Sequence, residues 1–149
     1  MPITAFNSFN DGLAPHQRSR EHFIANLDLE DGPHWVPYAE GVWIQLCHFN
    51  VTSGGFSVVL KGLPGARLGV HYHVGTVRGF TMRGHWRYLE HDWVAREGSF
   101  VYEPPGEIHT LVVDEVAGGS CEMTEMITFF NIHGAMVYVD ESGQTTGYE

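Results

Sequence analysis

From His34 onward, hydrophobic and aromatic positions come in short runs, each closed by a break rich in glycine or proline. The runs cover 43–49, 56–61, 67–74, 77–83, 86–90, 99–103, 110–114, 123–132 and 135–139. The breaks include Gly54-Gly55, Gly62 to Gly65, Gly84, Gly98, Pro104-Pro105-Gly106, Gly118-Gly119 and Gly134. Most runs are rich in β-branched and aromatic residues, which fit a pleated, half-buried surface. Regularly spaced short strands with such turns predict an all-β sandwich or barrel. Closing the sheets, as in a jelly roll, removes exposed edges and leaves an interior cavity.

Residues 1–33 read differently. Asn10-Asp11-Gly12 and Asp31-Gly32-Pro33 are turn signals. Between them, Arg18 to Leu29 is expected to form one short helix, with Phe23, Ile24 and Leu27 on one side. The chain thus divides into an N-terminal helical or irregular arm, 1–33, and a single β domain, 34–149. There is no internal repeat and no linker.

The pair His71-Tyr72-His73 is the strongest chemical signal. Successive side chains of a strand alternate faces, so histidines at i and i+2 point the same way. His109 follows after strand and turn signals and returns to the same cavity if the sheet closes. Three neutral imidazoles on rigid strands suit a transition metal such as iron, zinc, copper or nickel.

Composition removes other classes. Eight Lys and Arg against 18 Asp and Glu give a formal charge of -10 in 149 residues, a field that repels nucleic acid and anionic membrane surfaces. No apolar run approaches the roughly 18 residues of a membrane helix. The N-terminus has neither the charged nor the apolar region of a signal peptide. Cys47 and Cys121 lie outside any metal-type Cys-x-x-Cys and read as packing thiols of a reducing compartment. The expectation is a soluble cytoplasmic protein.

These residues resemble the two sequence motifs of the cupin superfamily. The first has a glycine, five residues, His-x-His, a glutamate after three or four residues, and a closing glycine. Gly65, His71, His73 and Gly84 fill it, while the glutamate slot holds Val77 or Arg78. The second is matched by Gly98, Pro104, Gly106 and His109, with Val113 in its final asparagine slot. The resemblance implies a single-domain cupin. Without the glutamate, three histidines leave an octahedral ion three open positions, enough for a bidentate substrate and O2. Zinc with three histidines and a water is the competing assignment.

From about Trp43 to Tyr148 the chain is similar to the 2,4'-dihydroxyacetophenone dioxygenase family. The likeness rests on residues 84–95 and 98–113, on Val137 to Asp140, and on Gly147-Tyr148. It implies His71, His73 and His109 as ligands of Fe(II), with Zn(II) or Ni(II) able to occupy the site. It also implies cleavage of the C–C bond between an aryl ketone carbonyl and its hydroxymethyl carbon, giving a carboxylate and formate. A small ketone and O2 are then the partners. The ketone would chelate iron through two oxygens while a base assists its deprotonation. Glu90, Glu103 and Glu107 are candidates for that base; Glu90, in alternation with Trp86 and Tyr88, and Glu107, beside His109, are assigned to catalysis. Glu103, last before the Pro-Pro-Gly turn, reads equally as a solvated carboxylate.

Arg78 and Arg83 are candidates for a phenolic or anionic substrate group, though surface ion pairs account for them more simply. Three other functions share the fold: cleavage of β-diketones by three-His iron, a zinc-binding sensor like the cupin domains of some anti-sigma factors, and a metal-free sugar-nucleotide isomerase. The intact triad disfavours the last, and the lack of a spare partner-binding segment disfavours the sensor. Closed symmetry is usual for small enzymes, so a homodimer or homotetramer is expected.

Overall fold

The computed structural model describes residues 22–24, 26–50, 54–113 and 124–149. The strands among these residues are β1 (His22–Phe23), β2 (Val36–Ala39), β3 (Val42–Phe49), β4 (Phe56–Gly62), β5 (His71–His73), β6 (Val77–Arg83) and β7 (His85–Tyr88), then β8 (Ala95–Arg96), β9 (Phe100–Glu103), β10 (Leu111–Val113), β11 (Met126–Ile132), β12 (Met136–Val139) and β13 (Thr145–Tyr148). All but the four short strands β1, β2, β8 and β13 fall inside the runs predicted from the sequence, apart from residues such as Val42 and His85 at the strand ends.

One sheet runs β1-β3-β4-β11-β6-β9, with β2 paired along β3. Two three-stranded sheets, β10-β7-β8 and β13-β12-β5, form the opposite layer. They are joined because residues 65–71 run antiparallel to 109–113: Leu68 N–H donates to Leu111 O at 3.0 Å and Val113 N–H to Ala66 O at 2.9 Å. The run expected at 67–74 is therefore continuous as a ladder, although only His71–His73 is regular strand.

Alternation sets the faces. Val77, Thr81, Val101, Trp86, Tyr88, Leu111 and Val113 point inward and are buried, as are Val58, Leu60 and Phe130 from the first sheet. Trp86 is fully enclosed, and its indole N–H donates to Thr81 Oγ1 at 2.8 Å, so the one polar atom of this large side chain is satisfied. β4 is buried on both faces because a second cluster covers the outer side of the sheet: Val59, Ile127 and Cys47 pack with Leu27, Leu29 and Trp35. Cys47 is a free buried thiol.

The helix expected over Arg18 to Leu29 is corrected where the structure describes it. His22–Phe23 is a strand paired with His48–Phe49, and the following residues take no helical form. Burial of Leu27 and Leu29 against the sheet outweighs a thin helical stripe. Residues 18–21 and 25, the turn at 10–12, the Gly118-Gly119 break and Cys121 lie outside the described residues, as do Asp114 and Met123 at two expected strand ends.

Candidate metal centre

The triad is assembled by backbone pairing. His71 and His109 form an antiparallel bridge, with His71 N–H donating to His109 O at 3.0 Å and His109 N–H to His71 O at 2.9 Å. Gly106 N–H donates to His73 O at 2.8 Å, so the Pro-Pro-Gly turn is fastened to the other end of β5. Gly106 has φ of +80°, a conformation open to glycine without steric cost. The strand and the turn therefore deliver all three imidazoles to one face.

His71, His73 and His109 are all buried, and one ring nitrogen from each lies within 4.8 Å of the others. Ring centroids are 4.7 Å apart for His71–His109, 5.2 Å for His71–His73 and 5.6 Å for His73–His109. His71 Nδ1 lies 2.7 Å from Gly69 O, which fixes that nitrogen as the donor and turns Nε2 to the cluster. Tyr88 stacks on His109 at 3.9 Å between centroids.

Burial pushes the His73 and His109 imidazoles down to about 3, with neighbouring histidines adding to the effect, and it lowers His71 as well. At neutral pH all three are neutral, the state in which imidazole ligates a metal. His73 Nδ1 and both nitrogens of His109 have no hydrogen-bond partner. Buried polar atoms without partners are costly. A divalent cation takes one nitrogen from each ring, and the donor set fits one.

A carboxylate joins them. Glu103 is 2 % exposed, and its Oε2 lies 3.4 Å from His73 Nε2 and 3.5 Å from His109 Nε2. Its Oε1 accepts a hydrogen bond from Tyr88 OH at 2.5 Å. Burial raises the Glu103 carboxyl to about 7, against the Tyr88 hydrogen bond, which lowers it. With the imidazoles neutral, the two histidine contacts are not ion pairs. The signal for Glu103 was its alternation with Val101 in β9, hidden by the turn that follows it.

The other two carboxylates stand apart. Glu90 lies in a turn just past β7, where alternation with Trp86 and Tyr88 ends. It accepts hydrogen bonds from Thr110 N–H and Oγ1, both at 2.8 Å. Glu107 Oε1 lies 3.0 Å from His91 Nε2. Neither lines the cavity that reaches the triad. Nor does either arginine: Arg83 pairs with Glu30 and Glu125, and Arg78 lies over the Tyr102 ring.

That cavity, with the open solvent at its mouth included, spans about 470 Å³ of space between atoms. Its wall is apolar, with Ile44, Val58, Leu60, Leu68, Leu111 and Phe130, and its inner end is His71, His73 and Glu103. At the mouth Tyr38 OH donates to Glu149 Oε2 at 2.7 Å and shares a short hydrogen bond with Tyr138 OH.

The two layers and the triad between them define a cupin with a site suited to a metal. Residues 28–137 match the ChrR cupin-like domain family, and the chain belongs to it. An RmlC-like cupin protein of Ralstonia eutropha JMP134 is 34% identical over 77% of this chain and 72% of its own, with a TM-score of 0.66. Acetylacetone dioxygenase from Acinetobacter johnsonii aligns over 86% of this chain and 87% of its own at 17% identity and a TM-score of 0.70. Anti-sigma ChrR, in complex with SigE of Rhodobacter sphaeroides, aligns over 70% of this chain and 50% of its own at 17% identity, TM-score 0.57. At these identities the last two show a shared fold. No curated protein matches the chain. Among the described residues no helix is long and apolar enough to cross a membrane.

Proposed function

We propose that the protein is a non-haem iron dioxygenase that cleaves the C–C bond beside the carbonyl of a small ketone. An aromatic α-hydroxyketone such as 2,4'-dihydroxyacetophenone is the substrate class; with O2 it gives an aromatic carboxylate and formate. The observation that carries this reading is the meeting of three neutral imidazoles with one carboxylate at the inner end of an apolar cavity.

His71, His73 and His109 would hold Fe(II), which supplies Lewis acidity toward the two ketone oxygens and redox chemistry toward O2. Zn(II) or Ni(II) would fill the same nitrogens in protein purified without iron. The apolar walls bind the aryl group and exclude water. Glu103 is the group that takes a proton from the substrate, since of the three candidate carboxylates it lines the cavity, with Oε2 free of a hydrogen-bond partner. Glu90 and Glu107 act as positioning residues: Glu90 holds Thr110, next in the chain to His109, and Glu107 holds His91.

Two neighbouring readings share the triad. A β-diketone presents the same pair of chelating oxygens, so the cavity admits it on the same chemistry. The family takes its name from ChrR, an anti-sigma solved in complex with SigE, which supports a domain without catalysis; a cavity open to solvent and lined by His71, His73 and Glu103 favours the enzyme. Loading with Fe(II) and mixing with a panel of hydroxyketones and β-diketones under O2 separates the three, with formate or other cleavage products as the readout.

An oligomer has a face to use. Phe80, Phe100 and Tyr102 stand 48%, 65% and 52% exposed on the outer side of β6 and the edge strand β9. Association through that face would bury aromatic surface and cover an edge; sedimentation of a Phe80→Ser/Phe100→Ser double variant, compared with the parent, tests it. A cytoplasmic location is part of the same proposal.

A further inference from the structure

Val77 pairs directly with Glu103 in the β6–β9 ladder. Opposed residues of an antiparallel pair project to one face with Cβ atoms about 4.5–5.5 Å apart. A carboxylate carried by β9 thus enters the space that a carboxylate at position 77 would enter from β6. Both side chains are buried there, Val77 at 0% exposure and Glu103 at 2%.

The two carboxylate oxygens have different surroundings. Oε1 is taken by Tyr88 OH. Oε2 has no hydrogen-bond partner, and neither has His109 Nε2, 3.5 Å away. His73 Nε2 is 3.4 Å from the same oxygen. Two donor atoms on one ion, each at about 2.0–2.2 Å, stand roughly 3.0–3.5 Å apart. The oxygen is spaced from both nitrogens as one ligand is from another.

We propose that Glu103 is a fourth protein ligand of the metal centre in the substrate-free protein, so that the set is three histidines and a carboxylate supplied by β9 across from Val77. This rests on the reading of His71, His73 and His109 as a metal site. Tyr88 then serves as the group that orients the ligand's second oxygen, as hydrogen-bond donors beside metal-binding carboxylates do. An octahedral ion held this way would keep two positions for exogenous ligands. Displacement of the carboxylate by a chelating ketone would free the third and leave Glu103 able to take a proton. The added hard, anionic oxygen moves the preference of the site toward iron and manganese.

The test is Co(II) binding to metal-free, full-length protein, followed by competition with a chromophoric chelator, by the Co(II) d–d spectrum and by X-ray absorption. The variants are Glu103→Gln, which keeps an acceptor for Tyr88; Val77→Glu/Glu103→Val, which moves the carboxylate across the strand pair; and His71→Ala. The proposal expects Glu103→Gln to weaken Co(II) about 10-fold or more and to change the d–d envelope, and it expects the exchanged pair to recover both. An unchanged spectrum in Glu103→Gln, whether or not affinity falls, overturns it: Glu103 would at most position a histidine. In that case loss of binding in His71→Ala would leave the three-histidine centre standing. If the parent protein takes up no Co(II), both readings fall together.

Discussion

His71 and His109 are partners in one two-residue antiparallel bridge, each accepting the other's backbone N–H. The two imidazoles are thereby held on the same face with their centroids 4.7 Å apart. The centre is part of the fold rather than an addition to it.

Replacing either residue by alanine should remove metal and leave the bridge, because the pairing uses main-chain atoms. His71→Ala is expected to bind less than a tenth as much Fe(II) or Co(II) as the parent at equal free metal, with an unchanged far-ultraviolet circular dichroism spectrum. Elemental analysis after gel filtration reads it. Full metal occupancy in the variant would remove His71 from the ligand set.

Glu90→Gln should separate positioning from proton transfer. Its carboxylate is held by Thr110 N–H and Oγ1, away from the cavity, so the variant is expected to lose about 1 kcal/mol of stability and to retain metal and the pH profile of turnover. A fall of more than about 10³-fold in kcat with metal retained, the size of a lost acid–base group, would restore Glu90 to the chemistry.

Tyr88→Phe keeps the ring that stacks on His109 but withdraws the donor from Glu103 Oε1, leaving a buried acceptor unpaired. A cost of about 1–3 kcal/mol is expected, readable as a lower denaturation midpoint in urea. A midpoint equal to that of the parent would mean that water or another donor replaces the hydroxyl.

The pH dependence of the metal-free protein follows from the buried imidazoles. His73 and His109 have folded values near 3 against about 6.5 in an unfolded chain. The unfolded state therefore binds more protons between those limits, and stability falls as pH drops from about 6.5 toward 3. Glu103 works in the opposite direction: raised from 4.5 to about 7, it stays protonated in the fold and weakens it as pH rises through that interval. Urea denaturation of metal-free parent and His73→Gln at pH 7, 5.5 and 4 should show the shallower loss in the variant, by about 1.4 kcal/mol per pH unit at most. Parallel curves would show that His73 is not held neutral.

Much of this site was legible from alternation and gapped spacing. His71 and His73 share a face because strands have a period of two, and the turn at Pro104 to Gly106 marked His109. The regular strands were visible because their alternating faces are buried; β1, β2, β8 and β13 are short and partly exposed, so their sequences carry little pattern. Glu90 misled because strand parity was extended past Tyr88 into a turn. Glu103 was weighed but passed over because the adjacent prolines look like solvent-facing turn, whereas burial against Tyr88 and pairing with Val77 are long-range facts that no local pattern records. The helical reading of residues 18–29 gave way where His22–Phe23 finds β3 and Leu27 finds the sheet's outer face.

The central claim is oxidative ketone cleavage at this centre, and oxygen uptake by anaerobically Fe(II)-loaded protein mixed with 2,4'-dihydroxyacetophenone tests it most directly, with a zinc-loaded sample as control. The account predicts uptake with iron only, matched one to one by formate. No uptake from protein that holds one iron per chain, across hydroxyketones and β-diketones alike, would contradict the dioxygenase and leave a metal-binding domain without catalysis.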